Sequence, residues 1–123
     1  MRPTRVLIVD DNRDAADLAA MLLTVEGHQA EVAYNGSDAL LADGRFRPDV
    51  VLLDLGLPDM DGCQVARSLS REEPPPLLIA VSGHAEDQVG GRARASGCSH
   101  HLLKPVDIEA LLKLVADAPS REP

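Results

Sequence analysis

Aromatic side chains are scarce in this sequence, which has one Tyr, one Phe and no Trp among its 123 residues. Flavins and single-stranded nucleic acids are bound largely by stacking on aromatic rings, so a flavin carrier and a single-strand binder are disfavoured. Basic residues are also few, because 12 Lys and Arg stand against 20 Asp and Glu, for a formal net charge of -8. We therefore expect no direct binding to nucleic acid and none to an anionic membrane.

Cysteines and long apolar runs are scarce as well. The two cysteines, Cys63 and Cys98, are far apart, and no second Cys or His stands at metal-ligand spacing around Cys63. A zinc site is not expected, and both thiols are predicted to be buried in a reducing compartment. No apolar run reaches the roughly 18 residues of a membrane-spanning helix. Since no signal-peptide pattern is found either, we expect a cytoplasmic protein.

The apolar residues fall in short runs. Residues 6–9, 50–53 and 77–81 are continuously apolar, which is typical of strands covered on both faces of a parallel sheet. Residues 29–33 alternate between polar and apolar side chains, and the apolar run around 101–103 is short. These last two segments are predicted to be edge strands.

Helical patterns separate the predicted strands. Two segments place apolar residues at helical spacing: Ala15, Leu18, Ala19 and Leu22, then Ile108, Leu111, Leu112 and Val115. Gly27 is predicted to end the first of these helices, and Asp107 to cap the last. Residues 37–43 and 63–71 are also predicted helices. Residues 85–96 form a weaker one, because two glycines in its interior cost about 1 kcal/mol each relative to Ala.

This alternation predicts a doubly wound α/β fold, with right-handed crossovers and helices on both faces of a parallel sheet. Residues 1–118 are assigned to one domain, because 123 residues are enough for a single core. Residues 119–123 are predicted to be a frayed C-terminal tail. Ligands of such sheets bind at the carboxyl ends of the strands, so the functional residues are sought there.

Acidic residues stand at two predicted strand ends. Asp10 and Asp11 follow the first apolar run, and Asp54 follows the third predicted strand. Each alone could be a helix cap or a solvated strand end, because Asp is a common cap. Together they predict three carboxylates at one edge of the sheet, a ligand set suited to Mg²⁺, which prefers oxygen donors.

Two further strand ends carry complementary groups. Ser82 follows the fourth predicted strand, and Lys104 follows the fifth. A carboxylate nucleophile beside a divalent cation, a hydroxyl and an ammonium suits the acceptance of a phosphoryl group, whose oxygens the last three groups neutralise. Asp54 is the candidate nucleophile.

Four motifs cover nearly the whole chain: VLIVDDN at 6–12, PDVVLLDLGLPDMDG at 48–62, AVSGH at 80–84, and Gly97 followed by LLKP at 102–105. With these motifs the sequence closely resembles the receiver domain of two-component response regulators, roughly over residues 5–116. The resemblance implies the flavodoxin-like (βα)5 fold with strand order 2-1-3-4-5.

The resemblance also implies a role for each site residue. Asp54 would be the phosphoacceptor. Asp11 and the backbone carbonyl of Gly56 would bind Mg²⁺ directly, and Asp10 chiefly through water. Ser82 would be the switch hydroxyl. Lys104 would bind the phosphoryl group, and its bond to Pro105 would be cis.

The implied mechanism is transfer from the phosphohistidine of a histidine kinase or a histidine phosphotransfer protein, possibly in the same chain, to Asp54. Slow hydrolysis follows, so the domain catalyses its own phosphorylation and dephosphorylation and is not an enzyme acting on other substrates. The new charge would draw Ser82 inward and switch the surface of the fourth helix, fifth strand and fifth helix. In this family the positions of Gly56 and His84 tune hydrolysis, so an unusual phosphoryl lifetime is expected.

Other functions fit part of the sequence. A Mg²⁺-dependent phosphohydrolase with Asp54 as nucleophile is one alternative, although such enzymes usually have a general acid two residues on, where this chain has Gly56. An adaptor that works without phosphorylation is another. The segment LDLGLP and the two histidines before LLKP resemble receivers of hybrid histidine kinases more than receivers joined to DNA-binding domains.

The adjacent His100 and His101 raise the further alternative of a transition-metal site. Successive strand residues face opposite sides of a sheet, so the two rings cannot share one metal ion. By the resemblance, His101 stands where receivers usually have a Tyr or Phe that swings inward with the switch hydroxyl. A titratable ring there could couple the switch to pH, or a neutral ring could replace Tyr without a pH effect.

Overall fold

The protein is described here by a computed structural model that covers residues 3–83 and 87–121. Strands and helices alternate throughout. The strands are β1 (Arg5–Val9), β2 (Gln29–Ala33), β3 (Val50–Asp54), β4 (Leu77–Ser82) and β5 (His100–Leu103). The helices are α1 (Arg13–Val25), α2 (Gly36–Phe46), α3 (Gly62–Ser70), α4 (Asp87–Ala95) and α5 (Ile108–Ala116).

The strands form one sheet in the order β2-β1-β3-β4-β5, and every neighbouring pair is parallel. The predicted flavodoxin-like order is therefore confirmed. The pairing sets Val9 beside Leu53, Asp54 beside Val81, and Ser82 beside Leu103. Because the strands are parallel and in register, their carboxyl ends meet at one edge of the sheet.

Two apolar layers lie on the two faces of the sheet. One joins alternate strand residues to α1 and α5: Val6, Ile8, Val50, Leu52, Ile79, Val81, Ala16, Leu23, Leu111 and Val115. The other joins the remaining strand residues to α2, α3 and α4: Leu7, Val9, Val51, Leu53, Leu78, Ala80, Ala39, Ala42, Val65, Ala66, Leu69 and Ala93. Both thiols are buried as predicted, and burial raises the pKa of Cys98 to about 11.

Side chains and backbone conformation set the helix ends. Asp107 caps α5 as predicted, accepting hydrogen bonds from the backbone N–H groups of Glu109 and Ala110. The N-cap of α1 is Asn12, whose side chain accepts a hydrogen bond from the N–H of Ala15, and not Asp10 or Asp11. The helix ends just before Gly27, which has a φ of 93° and is the predicted stop. Arg47, at φ 52°, ends α2 beyond its predicted end.

The face that α1 buries differs from the predicted one. Ala16 and Leu23 are fully buried, whereas Leu18 is 55% exposed. Ala15 and Leu22, two more residues of the predicted stripe, line a cavity between α1 and α5. The buried side of α1 is thus centred one residue later than the apolar spacing predicted, because α5 does not cover the whole stripe.

The C-terminal segment differs from the frayed tail predicted for 119–123. The Arg121 side chain is 2% exposed. Its guanidinium donates to Asp43 at 2.9 Å, to the carbonyl of Pro74 at 2.9 Å, and to Glu72, while its backbone N–H donates to Asp49 at 2.8 Å. The described part of the tail is held because Asp43 and Asp49, both 2% exposed, need partners inside the protein.

Among the residues that the structure describes, no helix is both long and apolar enough to cross a bilayer.

Candidate functional site

The predicted site residues meet at the carboxyl edge of the sheet. Asp54 and Ser82 are the last residues of β3 and β4, while Asp10 and Lys104 directly follow β1 and β5. The strand order puts β3 between β1 and β4, so Asp54 is central. His84 lies outside the described residues.

Asp54 is held on both carboxylate oxygens. Its side chain is 9% exposed, and Oδ2 accepts a hydrogen bond from Lys104 Nζ at 2.9 Å. Oδ1 accepts one from the backbone N–H of Gly56, also at 2.9 Å. The carboxylate is therefore fixed in orientation by a hydrogen bond on each of its oxygens.

Asp10 and Asp11 complete a cluster of carboxylates. One oxygen each from Asp10, Asp11 and Asp54 lies within 4.8 Å of the others. Burial raises the pKa of Asp10, the Asn12 N–H opposes that shift, and the charge of Asp54 adds to it. Groups so placed are stabilised as anions by a cation between them, and all-oxygen ligands fit a hard divalent ion.

Lys104 supplies a cation within this cluster. Its Nζ is 2.9 Å from Asp54 and 3.5 Å from Asp10. Burial alone would lower the pKa of Lys104, but the hydrogen bond and charge of Asp54, with the charge of Asp10, outweigh burial and raise it. The amine stays protonated at neutral pH, as a phosphate-binding group requires. The Lys104-Pro105 peptide bond is cis, in agreement with the prediction.

The side chains of Ser82 and His101 form a direct hydrogen bond. Ser82 is 6% exposed, and its Oγ lies 2.7 Å from Nε2 of His101. His101 pairs with Ala80 across the sheet and is half-buried, whereas the preceding His100 is exposed. The two histidines therefore have different environments, and the contact of His101 with Ser82 is a finding that the motifs did not reveal.

Two cavities adjoin Asp54. One of ≈ 540 Å³ lies between α1 and α5, with Asp10 and Lys104 in its lining. The other, of ≈ 260 Å³, lies toward α4 and is lined by Ser82, Arg92 and others. The phosphoacceptor candidate is thus accessible from two sides.

The loop after β3 contains two aspartates that accept hydrogen bonds from the first residues of neighbouring helices. The sequence motifs did not reveal this role. Asp59 accepts from the N–H groups of Gly36 and Ser37 at the start of α2, and these bonds lower its pKa. Asp61 caps α3 by accepting from the N–H of Cys63 at 2.9 Å. Its position just before a glycine and an apolar helical pattern was the available signal. The loop that follows Asp54 is therefore anchored at both helices.

Comparison with known proteins identifies the family. The family model described as "Response regulator receiver domain" matches residues 6–116, which is most of the chain. The chain belongs to the response regulator receiver domain family. This receiver domain of two-component signalling has the fold and the edge cluster that the motifs implied.

The receiver domain is similar to proteins of different length. It is 39% identical over 113 residues to "Probable transcriptional regulatory protein TcrX" of Mycobacterium tuberculosis, covering 90% of this chain and 47% of that protein. It is 34% identical over 115 residues to "Protein PilH" of Pseudomonas aeruginosa, covering 90% and 93%. The chain thus spans about half the length of the transcriptional regulator and nearly all of PilH.

Solved structures agree with this assignment. A response regulator receiver domain protein (CheY-like) from Methanospirillum hungatei superposes with a TM-score of 0.88 at 27% identity, over 94% of this chain and 93% of that chain. A signal receiver domain from Bermanella marisrubri superposes with a TM-score of 0.84 at 33% identity, over 95% and 98%. The receiver fold is shared over the whole domain.

Proposed function

We propose that this receiver domain takes a phosphoryl group onto Asp54 from the phosphohistidine of a histidine kinase or a histidine phosphotransfer protein. The observation that carries the proposal is the position of Asp54: its Oδ2 is 2.9 Å from the Lys104 ammonium, and the carboxylates of Asp10 and Asp11 lie within 4.8 Å. These are the parts that phosphoryl transfer to a carboxylate needs.

In the proposed reaction, a carboxylate oxygen of Asp54 attacks the phosphorus atom. A new O–P bond forms, the N–P bond of the donor histidine breaks, and the released imidazole keeps the electron pair and takes a proton. Lys104 neutralises charge on the phosphoryl oxygens, because its raised pKa keeps the amine protonated. Hydrolysis later returns Asp54 to the free carboxylate.

Mg²⁺ is the proposed cofactor, and the oxygen-only cluster fits it. Asp11, Asp54 and the backbone carbonyl of Gly56 are the proposed direct ligands, with Asp10 acting chiefly through water. The bound ion would supply positive charge to the transferred oxygens.

A phosphohydrolase that turns over many substrates is less well supported. Position 56 is Gly, which offers no side-chain acid there, and its N–H is already bonded to Asp54. The domain is proposed instead to act as a cytoplasmic signalling module that keeps its own phosphoryl group for a limited time. Gly56 and His84 are the proposed determinants of that lifetime.

Ser82 and His101 are the proposed switch residues. When the Ser82 hydroxyl is the donor in its 2.7 Å bond to His101, that bond must be broken or reversed in direction before the hydroxyl can donate to a phosphoryl oxygen. Either change alters the position or the bonding of His101 on β5. The proposed output surface is accordingly that of α4, β5 and α5.

Incubation with acetyl phosphate and Mg²⁺, followed by intact mass measurement, tests the proposal. We expect one added phosphoryl group in the wild type and none in Asp54→Ala. Asp117→Ala, an exposed carboxylate at the end of α5, is the matched control and keeps the adduct. Release of inorganic phosphate with no adduct would favour the phosphohydrolase, and an adduct in Asp54→Ala would contradict the assigned acceptor.

A further inference from the structure

The cavity on the α4 side of Asp54 is lined in part by a positively charged side chain, that of Arg92. This cavity of ≈ 260 Å³ is lined by residues that include Asp54, Gly56, Asp61, Ser82 and Arg92. Lys104 lines the other cavity, toward α1 and α5. A phosphoryl group on Asp54 would therefore have an ammonium on one side and the Arg92 guanidinium on the other.

Arg92 forms an ion pair with the carboxylate of Asp61, which also accepts a hydrogen bond from a backbone N–H group. Arg92 Nη2 donates to Asp61 Oδ2 at 2.5 Å, and the two side chains are 62% and 41% exposed. Exposed ion pairs of this kind contribute little to stability, so the guanidinium is free to exchange partners. Asp61 keeps its helix-capping bond from the Cys63 N–H without Arg92, and that bond and Arg92 lower its pKa.

Glycine at two positions leaves the cavity open. Among the described residues, a Cβ added at Gly83 would meet no atom within 4 Å, and one at Gly56 would meet Asp54 Oδ1 at 3.6 Å. Side chains from these two positions therefore do not come between Asp54 and Arg92. A guanidinium on α4 has room to approach a group attached to Asp54.

We propose that Arg92 is a phosphoryl-binding residue, which leaves Asp61 and donates to an oxygen of the phosphoryl group on Asp54 from the side opposite Lys104. This inference rests on the proposed phosphorylation of Asp54. A phosphoryl group at neutral pH carries a charge of roughly -1.5 to -2, against -1 for the Asp61 carboxylate. Its oxygens also suit the planar guanidinium fork.

Two consequences follow from this exchange. Arg92 is on α4, so the new bond carries the chemical state of Asp54 to a helix of the proposed output surface. The guanidinium would also cover the side of the acyl phosphate where positions 56 and 83 have no side chain. Arg92 is thus expected to lengthen the life of the phosphoryl group.

Two substitutions separate this role from that of a structural ion pair. Arg92→Gln removes the guanidinium. Asp61→Asn removes the competing charge and keeps the helix cap, because Asn and Asp cap equally well. We expect the phosphoryl lifetime to fall about three- to tenfold in the first variant and to rise in the second. Arg94→Gln, with the same charge loss on the same helix, is the control and is expected to match the wild type.

The lifetime is measured by intact mass over time after the phosphodonor is removed. A purely structural ion pair is broken by both substitutions, so lifetimes that change in the same direction, or not at all, overturn the inference. An effect of Arg94→Gln equal to that of Arg92→Gln also overturns it, because net charge alone would then explain the change.

A second measurement distinguishes failure of this inference from failure of the proposed function. The ¹⁵N resonance of Arg92 Nε is followed on phosphorylation and is expected to shift in the wild type but not in Asp54→Ala. An adduct that forms while Arg92 Nε stays unchanged overturns the Arg92 contact alone. A wild type that forms no adduct overturns the proposed function and the contact together.

Discussion

Replacement of Arg121 by Ala tests whether the C-terminal segment is part of the folded domain. The substitution removes the guanidinium, which donates to Asp43 at 2.9 Å, to the carbonyl of Pro74 at 2.9 Å and to Glu72. Asp43 is 2% exposed, so its carboxylate is left inside the protein without a cation. The variant should unfold more easily than the wild type.

The size of the effect follows from burial. Loss of one partner of a buried ion pair costs about 3 to 5 kcal/mol. The lower end applies here, because Glu72, the second carboxylate of the cluster, is 32% exposed and stays partly hydrated. Burial and the neighbouring Asp43 carboxylate also raise the pKa of Glu72, so uptake of a proton relieves part of the repulsion. We expect a loss of about 3 kcal/mol at neutral pH, a large share of a total stability of roughly 5 to 15 kcal/mol.

Urea denaturation at neutral pH measures this loss. Arg71→Ala is the matched control, because Arg71 is exposed at the end of α3 and carries the same charge. Its effect should stay within about 0.5 kcal/mol. The deficit of Arg121→Ala should shrink as the pH falls, since protonation of Glu72, whose pKa is raised, relieves its repulsion with the Asp43 carboxylate. A deficit below about 1 kcal/mol at neutral pH would refute the reasoning.

Three other substitutions probe the switch, the loop after β3 and α4. His101→Phe keeps a ring but removes the hydrogen bond between His101 and Ser82, so phosphorylation by acetyl phosphate should be faster, by up to about tenfold for one lost hydrogen bond. Intact mass over time measures the rate. Asp59→Ala should be destabilised in urea at neutral pH. That gap should close as the pH falls through the lowered pKa of Asp59, because a depressed pKa stabilises the fold only while the group is charged. Gly91→Ala should raise the free energy of unfolding by about 1 kcal/mol, since Ala is the better helix former and the added Cβ meets no atom of the described residues within 4 Å.

Each of these predictions has its own control or contrary outcome. His100→Phe changes an exposed neighbouring ring and should leave the phosphorylation rate unchanged; equal effects of the two substitutions would show that the bond to Ser82 is not the cause. A deficit of Asp59→Ala that is the same at pH 3 and pH 7 would contradict the assigned role of its charge. Destabilisation by Gly91→Ala would mean that α4 needs glycine at that position.

Much of the fold was predictable because its signals are local. Continuous apolar runs predicted β1, β3 and β4, and the parallel connectivity then put their carboxyl ends at one edge of the sheet. Asp10, Asp11, Asp54, Ser82 and Lys104 were therefore recognisable as one group before any coordinates were considered. The cap at Asp107 was predictable for the same reason, since a capping side chain bonds within its own first turn.

The contacts that were missed join residues far apart in the chain. Arg121 is 78 residues from Asp43 and 49 from Glu72, and a single Arg in a polar tail gives no periodic signal. The face of α1 that is buried was also shifted, because the position of α5 decides how much of its apolar stripe is covered. The spacing of apolar residues describes only the helix itself. It does not show how much of the helix a neighbouring element covers.

The amino-acid sequence by itself determined the order of strands and helices, the family, and the set of groups at the sheet edge. Local hydrophobic pattern and short motifs are enough for these features. Only the tertiary structure decided that Ser82 bonds to His101, that Arg92 reaches the cavity beside Asp54, and that Arg121 is buried. Such contacts depend on how separate elements pack, and side-chain identity alone does not specify the distance between them.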